Sequence, residues 1–70
     1  MKANELKGKI VASGMTIGEF CEKNGFVRST FDRKMSGQSE FDRGEIERII
    51  CALNLSLEET RNIFFAEVVT

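Results

Sequence analysis

The 70-residue sequence contains no Pro, Trp, Tyr or His. Without His, the common acid–base groups and catalytic triads are unavailable. Its two cysteines, Cys21 and Cys51, do not have the spacing of a zinc site, and no Gly-rich phosphate-binding loop follows a strand pattern. We therefore expect no enzyme activity, no metal and no cofactor, and no small-molecule ligand is predicted.

Long apolar segments are also absent. No apolar run approaches 18 residues, and the N-terminal sequence MKANELKGK lacks the apolar centre of a signal peptide. We therefore expect a cytoplasmic protein that does not associate with membranes. Cys21 and Cys51 each lie among apolar residues of a predicted helix, so we expect two buried free thiols. A disulfide or a redox switch is the alternative.

Positive charge is not in excess, because 10 basic residues face 11 acidic ones and the net charge is −1. Proteins that depend on phosphate contacts are usually basic, since affinity comes largely from counterion release. The charge is nevertheless uneven. Residues 1–27 carry four Lys against three Glu, residues 28–44 carry four basic against three acidic residues, and residues 45–70 carry two Arg against five Glu. The excess of acidic residues therefore lies at the C-terminal end, and the rest of the sequence is mildly cationic.

Capping signals recur along the sequence. Three segments place an N-cap residue three positions before a Glu, which is the capping-box spacing: TIGE from Thr16, DRGE from Asp42 and SLEE from Ser56. Together with glycine stop signals, they predict five helices in a single domain over residues 1–70. The predicted helices run from about Asn4 to Ser13, Ile17 to Asn24, Arg28 to Met35 and Arg43 to Leu53, and the fifth starts after Ser56.

Hydrophobic periodicity supports an all-α fold. Ile46, Ile49, Ile50 and Leu53 recur at the spacing of one helix face, and no segment alternates with a period of two. Glycines also lie inside or near the start of predicted helices, where each costs up to ~1 kcal/mol against Ala in a helix interior. Close packing between helices is the expected reason for Gly8, Gly18 and Gly44.

The third predicted helix has two distinct faces. At about 100° per residue, Phe31 and Met35 fall on one side, and a polar set points away from it. Arg can donate two hydrogen bonds to guanine, Asp can accept from cytosine, and Ser can do either. The polar set therefore has the chemistry of base recognition: Arg28, Ser29, Asp32 and Arg33.

The segment TIGEFCEKNGFVRSTFDRKMSG, at about residues 16–37, resembles the helix-turn-helix of the phage repressor and Cro-like (Xre) family. Its turn glycine is Gly25, its apolar turn residue is Phe26, and Val27 stands where the family commonly has a Ser or Thr cap. The resemblance covers about residues 4 to 65. It implies a lambda-repressor-like DNA-binding domain, a compact bundle of five short helices whose third helix lies in the major groove.

The resemblance also implies roles for individual residues. The base-reading set is that of the third helix, where Asp32 either reads cytosine or orients Arg28 through an i, i+4 pair. The residues expected to contact phosphate are Thr16, Thr30, Lys34, Gln38, Ser39 and Arg43. The implied function is sequence-specific binding of double-stranded DNA by a transcriptional regulator, of the phage or prophage repressor type.

The C-terminal segment is unusually apolar and raises a second possibility. Phe64 and Phe65 point about 100° apart around a helix, and Val68 widens the apolar surface further. These three residues form either part of the core or a self-association surface for a homodimer. The alternative function is that of a protein-binding module, such as an adaptor or antirepressor, that keeps the helix-turn-helix fold and uses this apolar helix. The two functions differ in their response to salt, because only DNA binding should weaken steeply as salt rises.

Overall fold

Five short α-helices make up the computed structural model, which describes residues 1–65. These residues contain no strand, so the predicted all-α class is confirmed over this range. Three of the predicted helices have the predicted bounds, and the first begins and ends one residue early. In chain order the helices are α1 (Ala3–Ala12), α2 (Ile17–Asn24), α3 (Arg28–Met35), α4 (Arg43–Leu53) and α5 (Leu57–Phe64).

Reciprocal capping boxes begin α2, α4 and α5, as the sequence predicts. The side-chain oxygens of Thr16, Asp42 and Ser56 accept the backbone N–H three residues later, at 3.1, 2.8 and 3.0 Å. In each box the Glu carboxylate accepts the N–H of the cap residue at 2.9 Å. Both partners therefore satisfy backbone donors that a helix start otherwise leaves open.

Two of the three capping-box glutamates also bind a lysine of another helix. Lys34 of α3 pairs with Glu45 of α4, and Lys9 of α1 pairs with Glu59 of α5. The backbone N–H of Lys2 in addition donates to the carbonyl of Ile63 at 2.8 Å. These contacts connect the start of a helix to a neighbouring helix, and they join the N-terminal part of the chain to α5.

A single hydrophobic cluster contains residues from all five helices. Its aromatic part centres on Phe31, whose ring lies 5.3 Å from Phe26, 5.4 Å from Phe41 and 6.0 Å from Phe20 between centroids. The radius of gyration is 11.3 Å, close to the ~11 Å of a compact chain of this length. The buried residues of the cluster are Leu6, Ile10, Phe20, Cys21, Phe31, Met35, Phe41, Ile49, Leu55 and Ile63.

Two predictions about small residues are wrong in part. Cys21 is buried as expected, but Cys51 is exposed, because it lies about 200° around α4 from the buried Ile49. Close packing of helices does not explain Gly8 or Gly44 either. No atom lies within 4 Å of the position of an added Cβ at Gly8, and at Gly44 only the carboxylate of Asp42, the N-cap residue of the same helix, does, at 3.5 Å. At Gly18 the expected close approach is present, because an added Cβ would lie 3.1 Å from Nη1 of Arg28 on another helix.

The described helices are also short. None of them, over residues 1–65, is long and apolar enough to cross a membrane. The longest, α4, has 11 residues, whereas a membrane span needs about 20.

Candidate functional site

The turn between α2 and α3 consists of residues 25–27. Gly25 ends α2 with a φ of +73°, a left-handed conformation that costs Gly little and other residues more. The next residue, Phe26, donates its backbone N–H back to the carbonyl of Cys21 at 2.9 Å. This backbone reversal directs the chain from α2 into α3 within three residues.

Arg48 of α4 holds this turn from outside. Its Nη1 donates to the carbonyl of Asn24 at 2.9 Å, and its guanidinium lies 4.9 Å from the centre of the Phe26 ring. The first contact satisfies a carbonyl at the end of α2, and the second is a cation–π interaction with the turn. Sequence reasoning missed this residue, because a polar position on α4 carries no signal of the helix end that it contacts.

The start of α3 differs from those of α2, α4 and α5. Val27 occupies the N-cap position, its side chain accepts no hydrogen bond, and no acidic residue lies in the first turn. The Val27 side chain is also 66% exposed. The first backbone N–H groups of α3 therefore have no capping side chain, as the sequence predicts.

The outer face of α3 carries the four predicted base-reading residues. Phe31 and Met35 are 1% and 8% exposed, so the predicted inward side of the helix is confirmed. The opposite side points to solvent, and its exposed residues are Arg28, Ser29, Asp32 and Arg33. Their contact with DNA stays a prediction.

Arg28 and Asp32 form a defined pair on this face. The Nε of Arg28 lies 3.2 Å from both carboxylate oxygens of Asp32. Within residues 1–65, the two terminal nitrogens of Arg28 have no hydrogen-bond partner, and Arg33 has no ion-pair partner. The two terminal nitrogens of Arg28 are therefore available as donors, and Asp32 limits the orientation of the guanidinium through Nε.

The buried thiol of Cys21 is not activated by this ion pair. Burial raises the pKa of Cys21, and although Arg28 acts to lower this pKa, Asp32 acts with burial to raise it. The thiol therefore stays protonated and behaves as a small apolar side chain of the core.

Both cationic side chains that are predicted to contact phosphate are already paired with carboxylates. The Lys34 and Glu45 side chains are each only 16% exposed, and Nζ of Lys34 also lies 5.8 Å from the centre of the Phe41 ring. Arg43 lies 3.4 Å from Glu47, and both of these side chains are largely exposed. Lys34 therefore stabilises the contact of α3 with α4, whereas Arg43 stays accessible.

The remaining predicted phosphate contacts are neutral side chains in different settings. Gln38 and Ser39 are exposed in the loop after α3. Thr30 is half-buried and lines a cavity of about 170 Å³ beneath the turn. The Thr16 hydroxyl accepts a backbone N–H in the α2 capping box, where the backbone and hydroxyl of Thr16 hold the pKa of Glu19 below its usual value.

A second surface lies at the end of α5. Phe64 is half-buried, with its ring 6.2 Å from that of Phe41, whereas Phe65 is 43% exposed. Both line a groove of about 530 Å³, whose floor includes Met35 and Phe41. Of the three predicted self-association residues, Phe64 belongs in part to the core and Phe65 lies at the surface. Val68 lies outside the described residues.

No group of His, Cys, Asp or Glu side chains in the described part of the chain could hold a metal ion. Comparisons of this chain with protein-family models, with curated proteins and with solved structures find no match.

Proposed function

We propose that this protein binds double-stranded DNA sequence-specifically and regulates transcription, with α2, the turn and α3 forming a helix-turn-helix over residues 16–37. The observation that carries this proposal is the two-sided character of α3. Phe31 and Met35 fix its inner side to the core, while its outer side projects two arginines, a serine and an aspartate. A helix placed in this way fits the major groove, where base edges present a distinct pattern of donors and acceptors.

In this function Arg28 is the principal base-reading residue. Its two terminal nitrogens match guanine O6 and N7, which is the commonest specific contact in the major groove. The pairing of both Asp32 oxygens with Nε supports an orienting role for Asp32 over the reading of cytosine. Arg33 and Ser29 then contact neighbouring bases.

Few contacts between cationic side chains and phosphate are expected in this proposal. Lys34 and Arg43 are paired with carboxylates, and the other predicted phosphate contacts are neutral. The uncapped N–H groups at the start of α3 can also donate to a phosphate oxygen. Since each neutralised phosphate contributes about −0.9 to the slope of log K against log salt, we expect a slope of magnitude below about 4 per protomer.

The resemblance to phage repressors extends the proposal to repression in the cytoplasm by a homodimer. Such a dimer would read two half-sites about 34 Å apart, and Phe65 is the exposed residue that its interface would use. A homodimer would also add buried area to a small core.

The decisive experiment is selection of bound duplexes from a random DNA pool at about 0.1 M salt, followed by sequencing. We expect enrichment of an inverted repeat with half-sites one helical turn apart. Arg28→Ala and Arg33→Ala should each relax one base position, while the matched control Arg61→Ala, which removes an exposed arginine of α5, should select the same site as wild type. Failure of the folded protein to enrich any sequence would refute the proposal.

A protein-binding module is the second candidate, and the groove beside Phe65 supports it. A partially exposed Phe at the edge of a groove with a Met and Phe floor is a typical anchor point for an apolar partner. Binding of a partner protein in this groove should barely respond to salt and should be lost in Phe65→Ala. The same variant should still select a single DNA half-site if the protein binds DNA.

A further inference from the structure

Gly18 lies against the guanidinium of Arg28, although the two residues belong to different helices. A Cβ added at Gly18 would stand 3.1 Å from Nη1 of Arg28, and the next nearest atom is the Thr16 hydroxyl oxygen at 4.0 Å. This distance is shorter than an ordinary van der Waals contact. An added Cβ at position 18 would therefore shift the Arg28 guanidinium by a few tenths of an ångström, and a larger side chain would shift it further.

No other observation explains a glycine at this position. Gly18 is the second residue of α2 and does not have a positive φ, so its backbone is open to any L-residue. Its missing side chain faces no backbone or side chain of a packed helix other than Arg28. Glycine is also a weak helix former, so alanine would be preferred here on local grounds.

The contacts of Arg28 therefore come from two helices. Nε is held by Asp32 of α3, and Nη1 rests over the first turn of α2 at Gly18. The ion pair on one side and the close approach to α2 on the other restrict the orientation of the guanidinium, and a bidentate contact with guanine depends on that orientation.

We propose that Gly18 determines the base specificity of the α3 face by leaving the space in which Arg28 is oriented toward a guanine. The proposal rests on the DNA-binding function proposed above. Gly18 acts as a positioning residue, because it reaches the base only through Arg28. A larger side chain at this position weakens the preference for that one base pair without weakening the fold.

Gly18→Ala and Gly18→Val form a graded test, and Gly8→Ala is the matched control. Gly8 is also a helical glycine, but nothing lies within 4 Å of its added Cβ. The measurement is affinity for the selected duplex and for the duplexes in which one base pair at a time is changed. Gly18→Val should reduce the preference at one base pair, by up to the about 5- to 150-fold that one bidentate contact contributes, and Gly18→Ala should reduce it less.

The Gly8→Ala control and an Arg28→Ala background distinguish a positioning role of Gly18 from a general effect on folding or DNA binding. Gly8→Ala should keep the wild-type base preference, and both alanine variants should have a melting temperature equal to or above that of wild type. In an Arg28→Ala background, Gly18→Val should have no further effect on base preference, because the residue through which it acts is gone.

Two further results distinguish this inference from the proposed function. In DNA-free protein labelled with ¹⁵N, Gly18→Ala should shift the Arg28 Nε–H resonance, and Gly8→Ala should not. If wild type selects a site and Gly18→Val keeps the same preference at every base pair, the inference is wrong and the function stands. If wild type selects no site, the function fails and the specificity role of Gly18 fails with it.

Discussion

Helices α2 and α3 have the same length of eight residues but begin in opposite ways. The Thr16–Glu19 capping box satisfies backbone donors of α2 and places a carboxylate beside its N-terminus. The start of α3 has neither a capping oxygen nor an acid in its first turn, and it carries Arg28 instead. The first turn of α2 is thus satisfied from within the chain, while the donors and cation of α3 are available to an external acceptor.

The difference also shows what holds α3 in place. A helix this short is not stable alone, and α3 gains nothing from a cap. Its stability comes from the burial of Phe31 and Met35, from the Lys34–Glu45 pair and from the contact of Arg48 with the preceding turn. A helix fixed from its inner side and from its flanks can leave its outer side entirely free.

Phe31→Ala should destabilise the protein more than any other substitution in α3. Removing a fully buried ring that contacts three other rings should cost about 3–5 kcal/mol, a large fraction of the stability of a domain of this size. Denaturant unfolding followed by circular dichroism measures it. Phe65→Ala is the matched control, because its ring is 43% exposed, and it should cost well under half as much. Equal losses in the two variants would contradict the view that inner-face packing holds α3.

Lys34→Ala should lower stability by about 1–3 kcal/mol, between the values for exposed and for buried pairs. The reason is that Glu45 would lose its lysine in a mostly buried site, and the same Glu45 oxygen accepts the N-cap N–H of α4. Arg43→Ala removes an exposed pair within α4 and should cost about 0.3–0.5 kcal/mol. Thermal unfolding of the two variants measures these two losses of stability. A loss of DNA affinity in Lys34→Ala without a loss of stability would favour a direct phosphate contact.

Val27→Ser should stabilise the protein by up to ~1 kcal/mol, because it gives α3 the N-cap oxygen that it lacks. Val27→Asp should stabilise it similarly and add a favourable interaction with the helix dipole. If the start of α3 meets phosphate, Val27→Asp should weaken DNA binding more than Val27→Ser, because a carboxylate repels a phosphate. Identical DNA affinities in the two variants would place the phosphate contacts elsewhere.

Glu19→Gln, at the start of α2, should have the smallest effect on stability, and this effect depends on pH. The folded protein lowers the pKa of Glu19 through the hydrogen bonds with Thr16. The stabilisation from this group is therefore fully present above the pKa of an unfolded Glu, about 4.3, and is lost as the pH falls through the lower folded value. The gap in melting temperature between wild type and Glu19→Gln should narrow on acidification below about pH 4. If this difference in melting temperature stays constant from pH 7 to pH 3, the charge of the Glu19 carboxylate does not contribute to stability.

The sequence was sufficient for the helices and for the side of α3 that faces the core. Capping boxes link residues three apart, and helical periodicity links residues three or four apart, so both are visible without knowledge of the fold. Cys51 was misjudged from its apolar neighbours, although its angle around α4 from Ile49 already places it outward.

The sequence by itself determined the five helices, the three capping boxes, the uncapped start of α3 and the division of α3 into an apolar and a polar side. Only the tertiary structure decided the partners that charged side chains find outside their own helix: Lys34 with Glu45, Arg48 with Asn24 and Phe26, and Arg28 with Gly18. The physical reason is distance along the chain. Helix formation depends on neighbours within one turn, whereas a charge on the surface of one helix finds its partner only when packing brings a second helix beside it.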